Sequence, residues 1–349
     1  MFVIGLMSGT SLDGLDVAYC EFFEDNVLHY RLLAAETYPY PPHWVERLSS
    51  LERASAFDYA LANVELGHYF GRRVNEFRQN HPGPVDLVAS HGHTVFHQPH
   101  IRLTTQIADG DAIAAETHLP VAFNFRTLDV ALGGQGAPLV PVGDRLLFGD
   151  CDACLNLGGF SNVSFERDGR RIAFDLSPCN MALNSLAARL GLAYDDNGDR
   201  ASMGLLDDEL LCRLNALPYY SQPAPKSLGK EWYVSEFAPL IATGDVASLL
   251  RTVVEHIASQ VAAVVCQNGL SSMLVTGGGA RNGFLLGRLR SLCPDCRIVV
   301  PAPAVIDYKE AIVFALLGYL RVHHRPNCLS SVTGAAIDNC GGQLSGLTQ

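Results

Sequence analysis

The segment Met7-Ser8-Gly9-Thr10-Ser11-Leu12-Asp13-Gly14-Leu15-Asp16 sets two glycines and three hydroxyls around a carboxylate. Glycine lets the backbone approach an anion, hydroxyls and amide N–H groups donate to phosphate oxygens, and a carboxylate holds Mg2+ directly or through water. The same residue types also make an ordinary surface hairpin. The order is not that of a P-loop, which needs a Lys after its second glycine and a helix beyond it. Further on, Asn156-Leu157-Gly158-Gly159 repeats the arrangement, and Gly277-Gly278-Gly279 permits flat, close approach of an adenine and ribose. Asp175, ahead of Leu176-Ser177-Pro178-Cys179-Asn180, stands where an α/β fold presents catalytic groups and equally where Asp caps a helix.

The elements that must hold these groups follow from hydrophobic patterning. Residues 2–4 and 17–22 read as strands on either side of the first turn, so the turn is a hairpin tip. Residues 43–79 keep a helical period through Leu48, Leu51, Ala54, Phe57, Ala60 and Leu61. A strand over 85–90 precedes a loop or hairpin rich in histidine, and 111–117 reads as a helix. Gly133-Gly134-Gln135-Gly136-Ala137-Pro138 reads as a flexible connector and a candidate hinge. Strand, glycine turn and strand recur over 153–165; 172–174 leads as a strand into Asp175 and a helix from Met181; 273–276 leads into the triple glycine and a helix near Phe284.

His91, His93, His97 and His100 crowd one stretch, but their spacing fits no closed tetrahedral metal site, which favours structural or substrate-lining roles. Cys151-Asp-Ala-Cys154 and Cys293-Pro-Asp-Cys296 have knuckle spacing yet lie far apart, and the ten scattered cysteines read mostly as buried thiols. At 349 residues the chain accommodates two domains, and 48% hydrophobic with 17% charged residues is a globular balance. A net charge of −11 argues against broad nucleic-acid binding. No apolar run reads as a bilayer span and the N-terminus enters a strand directly, so a cytoplasmic protein is expected.

Two short strands around a phosphate-gripping turn are similar to the hairpin of the superfamily containing sugar kinases, actin and heat-shock ATPases. Taken in order, Met7 to Gly14, Ser90-His91-Gly92-His93-Thr94-Val95, Gly133 to Pro141, Asn156 to Gly159, Pro225-Lys226-Ser227 before Gly229-Lys230-Glu231, Gly277 to Ala280 and Lys309-Glu310-Ala311 resemble the anhydro-N-acetylmuramic acid kinase family nearly end to end. The resemblance implies an α/β protein of two ribonuclease-H-like (actin-like ATPase) domains flanking an interdomain cleft, with residues 1–144 and 321–349 in one lobe and 145–320 in the other. It implies ATP and Mg2+ as cofactors, a homodimer, and a place in peptidoglycan recycling. Water adds across the 1,6-anhydro bond of 1,6-anhydro-N-acetylmuramic acid while the ATP γ-phosphate passes to the freed 6-oxygen, giving N-acetylmuramic acid 6-phosphate. Asp175 is the implied base. Gly9, Thr10, Ser11, Asp13, Gly14, Asn156, Gly158, Gly159, Gly277, Gly278 and Gly279 are the implied ATP contacts, with Asp13 serving Mg2+. His91, Arg126, Asn180 and Glu310 are the implied sugar contacts, Arg126 pairing with the lactyl carboxylate.

The chain departs from the family pattern at Leu176, Ser177 and Cys179, which replace a threonine and two glycines, and at Asn184, Asn124 and His93, which replace an acid, an aspartate and a glutamine. Loss of two glycines restricts the backbone beside Asp175. That altered loop supports a second reading, a nucleotide-dependent sensor or interaction ATPase of the same fold that phosphorylates no sugar.

Overall fold

A computed structural model describes residues 1–346, which divide into two compact units, one of residues 1–147 and 308–346 and one of residues 148–307. The chain returns to the first unit at Tyr308, ahead of the residue 321 expected from sequence. The reason lies in the helix Pro303–Val322, whose Ile312, Val313, Ala315, Leu316 and Leu317 are fully buried.

The first unit is built on β1 (Phe2–Ser8), β2 (Gly14–Glu24), β3 (Leu28–Pro39), β4 (Leu87–Gln98), β5 (Leu103–Ile107) and β6 (Val121–Phe123). The sheet runs β3-β2-β1-β4-β6, with a short strand Gln343–Ser345 beyond β6 and β5 paired to β4. β2 is antiparallel to both neighbours, whereas β1, β4 and β6 are parallel. β1 is central and covered on both faces, which is why Val3, Ile4 and Leu6 form a nearly continuous apolar run with no exposed surface. At Gly5 the covering helix comes so near that an added Cβ would lie 2.0 Å from the Ala311 carbonyl oxygen.

The long helical stretch expected over 43–79 is broken. Pro42–Ser50 is followed by a 3-10 turn, and Ala56–Asn80 starts afresh because the Ser55 side chain accepts from the Asp58 amide as an N-cap. The expected histidine-rich loop or hairpin is a hairpin, since β4 runs on to Gln98 and turns back into β5, with which His93 to Gln98 pair.

The second unit repeats the strand order. It contains β7 (Ala153–Leu157), β8 (Phe160–Arg167), β9 (Arg170–Pro178), β10 (Ser272–Thr276) and β11 (Arg297–Val299), arranged β9-β8-β7-β10-β11. β7, β8 and β9 form an antiparallel meander, while β10 and β11 are parallel to β7. Two sheets of this one order, each with its second strand reversed, are the ribonuclease-H-like topology. The helix Val246–Asn268 is long and apolar enough to cross a membrane by length and composition, contrary to the sequence expectation. Its Val253, Val254, Ile257, Ala258 and Val261 are fully buried in this unit's core, and Glu255 on the same helix pairs with Arg288 at 2.8 Å.

Candidate active site

In the first unit the tip between β1 and β2 carries Gly9, Thr10, Ser11 and Asp13, with Thr10, Ser11 and Asp13 exposed. Leu12 holds a φ of 63°, a left-handed conformation unfavourable for a branched side chain, and its amide closes the turn on the Gly9 carbonyl at 3.3 Å. Gly14 lies differently, buried as the first residue of β2, where a Cβ would meet the Tyr38 carbonyl oxygen at 2.5 Å. The base of the hairpin is fixed by Ser8, whose buried Oγ bonds Tyr40 OH at 2.7 Å and His93 Nδ1 at 2.9 Å. Burial lowers the His93 pKa to about 4, so the ring is neutral at pH 7.

His91, Arg126 and Glu310 belong to the same unit. Arg126 Nε donates to His91 Nε2 at 3.0 Å, and Nη1 donates to the Gly136 carbonyl at 2.6 Å. Desolvation, reinforced by Arg126, holds the buried His91 well below its ordinary pKa, so it accepts as a neutral ring with its proton on Nδ1. Glu310 keeps solvent access, while the protein around it raises its carboxyl pKa against the pull of Arg126, with Asp16 adding to the rise. Asn124, in place of aspartate, takes a φ of 57°, a left-handed position both residue types tolerate. The candidate hinge is tied down: the amides of Gly134 and Gly136 donate to Asp129, and that of Gln135 to Thr333.

In the second unit, Asn156, Gly158, Gly159, Gly277, Gly278, Gly279 and Asn180 gather at the C-terminal ends of β7 and β10. The Gly158 and Gly159 carbonyls accept from the amides of Asn180 and Cys179 at 3.0 and 2.9 Å, and Asn180 Nδ2 donates to the Leu157 carbonyl at 2.9 Å. Gly277, at φ 80°, lies so close to this edge that a Cβ would be 2.5 Å from Asn156 Oδ1.

Asp175 is half-buried inside β9 rather than after it, opposite Asn162. The register shifts here, leaving Leu176 as the extra residue of a bulge, a device that re-aims neighbouring side chains. Asp175 Oδ2 accepts from the Leu228 amide at 2.8 Å, its own amide donates to the Lys226 carbonyl at 3.2 Å, and Tyr219 OH donates to its carbonyl at 2.7 Å. Among the described residues Oδ1 accepts from no protein group. Burial raises the carboxyl pKa above its ordinary value, and the Leu228 amide opposes the rise. Lys226 Nζ sits 4.6 Å from the centre of the Tyr219 ring and donates to the Tyr219 carbonyl at 3.2 Å, which packs the 225–228 segment against Asp175.

In the substituted loop after Asp175, neither Ser177 nor Cys179 has a positive φ among the described residues, so neither position uses the left-handed freedom of a glycine; Cys179 caps the following helix at φ −123° and ψ −102°. Leu176 and Cys179 instead join the apolar core, and Ser177 bonds Ser161, Oγ to Oγ at 2.9 Å. Leu228 and Tyr219 are the contacts sequence reasoning missed; the only signal was the Pro225-Lys226-Ser227 motif beside them.

The sequence pattern of the family described as anhydro-N-acetylmuramic acid kinase matches residues 1–345. Curated relatives include the anhydro-N-acetylmuramic acid kinase of Sulfurovum sp. (strain NBC37-1), 35% identical with 95% of each chain covered. That of Pasteurella multocida (strain Pm70) is 34% identical, covering 96% of this chain and 94% of the relative. A solved structure, component A of the (R)-2-hydroxyglutaryl-CoA dehydratase of Acidaminococcus fermentans, matches at a TM-score of 0.48 and 12% identity, over 93% of this chain and 99% of that one.

Proposed function

The chain belongs to the anhydro-N-acetylmuramic acid kinase family, and from that premise we propose how its residues divide the reaction. It is an ATP-dependent kinase that opens the 1,6-anhydro ring of 1,6-anhydro-N-acetylmuramic acid and phosphorylates the product. Asp175 takes a proton from water as the water oxygen bonds to the anomeric carbon. The bond from that carbon to the 6-oxygen breaks, and the 6-oxygen accepts the γ-phosphoryl group, leaving ADP and N-acetylmuramic acid 6-phosphate. The observation that carries this reading is Asp175 itself, a carboxylate with one oxygen held by the Leu228 amide and the other without a protein donor among the described residues.

Phosphoryl transfer otherwise rests on positioning and charge. Gly9, Thr10, Ser11 and Asp13 of the first unit serve the phosphates, with Gly14 shaping their turn. Asn156, Gly158 and Gly159 of the second serve them also, and Gly277, Gly278 and Gly279 form the nucleoside floor. A lone exposed carboxylate such as Asp13 suits Mg2+, which keeps several waters and binds mainly through substrate phosphates. When bound, the ion neutralises charge on those phosphates. Arg126 pairs with the lactyl carboxylate, using N–H groups left beyond His91 and Gly136; His91, Asn180 and Glu310 line the sugar. A cytoplasmic homodimer completes the reading on family resemblance, with sedimentation as its check.

The deciding experiment supplies Mg-ATP and 1,6-anhydro-N-acetylmuramic acid in 18O-labelled water and weighs the products. Label at the anomeric carbon of a phosphorylated sugar is expected; phosphorylation without label, or ATP hydrolysis indifferent to sugar, would sink the reading. Gly277→Ala is expected to weaken ATP binding about tenfold, since a Cβ there adds strain of roughly 1–3 kcal/mol and displaces Asn156. Calorimetric titration measures it, and an unchanged Kd would remove Gly277 from the nucleoside floor.

A further inference from the structure

The stretch from Gly133 to Pro138 has no share in the chemistry above, yet it is bonded to a buried charge. Asp129, in the short helix Thr127–Ala131, has no exposed surface, and among the described residues no cation lies within ion-pair distance of it. Hydrogen bonds take the place of a counter-ion: Oδ1 accepts from Thr333 Oγ1 at 2.8 Å, Asn339 Nδ2 at 3.0 Å and Cys328 Sγ at 3.0 Å, and Oδ2 from the Gly136 amide at 2.8 Å. The loop is closed tightly on this carboxylate, since a Cβ on Gly134 would sit 2.2 Å from Oδ2. The carbonyl of the same Gly136 accepts from Arg126 Nη1 at 2.6 Å. A continuous line of hydrogen bonds therefore runs from the C-terminal segment through Asp129 and Gly136 to the Arg126 guanidinium. A buried charge satisfied by several fixed donors is stiff, because moving any one of them exposes the charge to an unpaired state.

We propose that Asp129 is a positioning residue that fixes Gly136 and so aims Arg126 at the substrate carboxylate, making the sugar-acid preference depend on Thr333, Cys328 and Asn339. The proposal rests on Arg126 being the carboxylate partner. Its test compares 1,6-anhydro-N-acetylmuramic acid with its methyl ester, in the full chain at saturating ATP. Asp129→Asn is expected to reduce the preference for acid over ester in kcat/KM about tenfold, the loss of one charge-assisted hydrogen bond, with the KM for ATP unchanged. Thr333→Val, which leaves the carboxylate and its other donors in place, is expected to shift the preference in the same direction by about threefold, and decides the matter if Asp129→Asn does not fold. Arg126→Ala is the reference variant. If it loses the preference while the other two keep the wild-type value, Asp129 is merely structural and the proposal fails with Arg126's role intact. If the wild type shows no preference, or Arg126→Ala retains it, the reading of Arg126 fails and the proposal with it.

Discussion

Asp175→Asn is expected to lower turnover by about 10²–10⁴-fold, the usual contribution of a general base, with ATP affinity unchanged. Asparagine fills the same space in β9 and its Oδ1 still accepts from the Leu228 amide, so the fold gives no other reason for the loss. As the proposed base, the same carboxyl is expected to set the acid limb of the pH profile. Its pKa is raised by burial, so it keeps its proton to a higher pH than an ordinary aspartate, and activity is lost as the pH falls through that elevated value. Single-turnover measurements across pH test both statements. A variant with wild-type turnover would remove Asp175 from the chemistry, and an acid limb at or below the ordinary aspartate pKa would contradict its setting.

Gly5→Ala is expected to destabilise the protein by roughly 4 kcal/mol or more, in the range reserved for severe overpacking. The added methyl would stand 2.0 Å from the Ala311 carbonyl oxygen and 2.7 Å from the Ala315 amide, backbone atoms that cannot rotate aside. Relief requires β1 and the helix Pro303–Val322 to separate, and these elements lead to the tip at Gly9 to Asp13 and carry Glu310. A fall in melting temperature on the order of 10 °C should be seen by calorimetry. Unchanged melting would mean that strand and helix are not in such close contact.

What was legible in the sequence was local. Strands around glycine turns, at the first tip, at Gly158-Gly159 and before Gly277, were readable because short apolar runs and turn residues alternate over a few positions. The break before Ser55 was missed because the apolar period continues across it while the cap depends on one side-chain bond to Asp58. The histidine segment read as loop or hairpin because its polar residues mask the alternation of a strand, and the pairing with β5 makes it a hairpin. Asp175 was expected at the end of a strand and lies within β9, and neither the bulge at Leu176 nor the Leu228 amide was foreseen, since register and a donor 53 residues away are properties of the fold. Asp129 gave no signal at all: its side-chain donors lie 199 to 210 residues further on. For the same reason the glycine-rich stretch beside it read as a hinge when it is an anchored loop.

That anchoring has a consequence for assembly on the ribosome. Residues 148–307 are contiguous, so their unit has all its parts while the tail is still being translated. Asp129 emerges early but waits for Cys328, Thr333 and Asn339 before its charge is satisfied. The portion synthesised first is thus completed last, and a nascent chain stalled short of position 339 should expose the first unit, and not the second, to added protease.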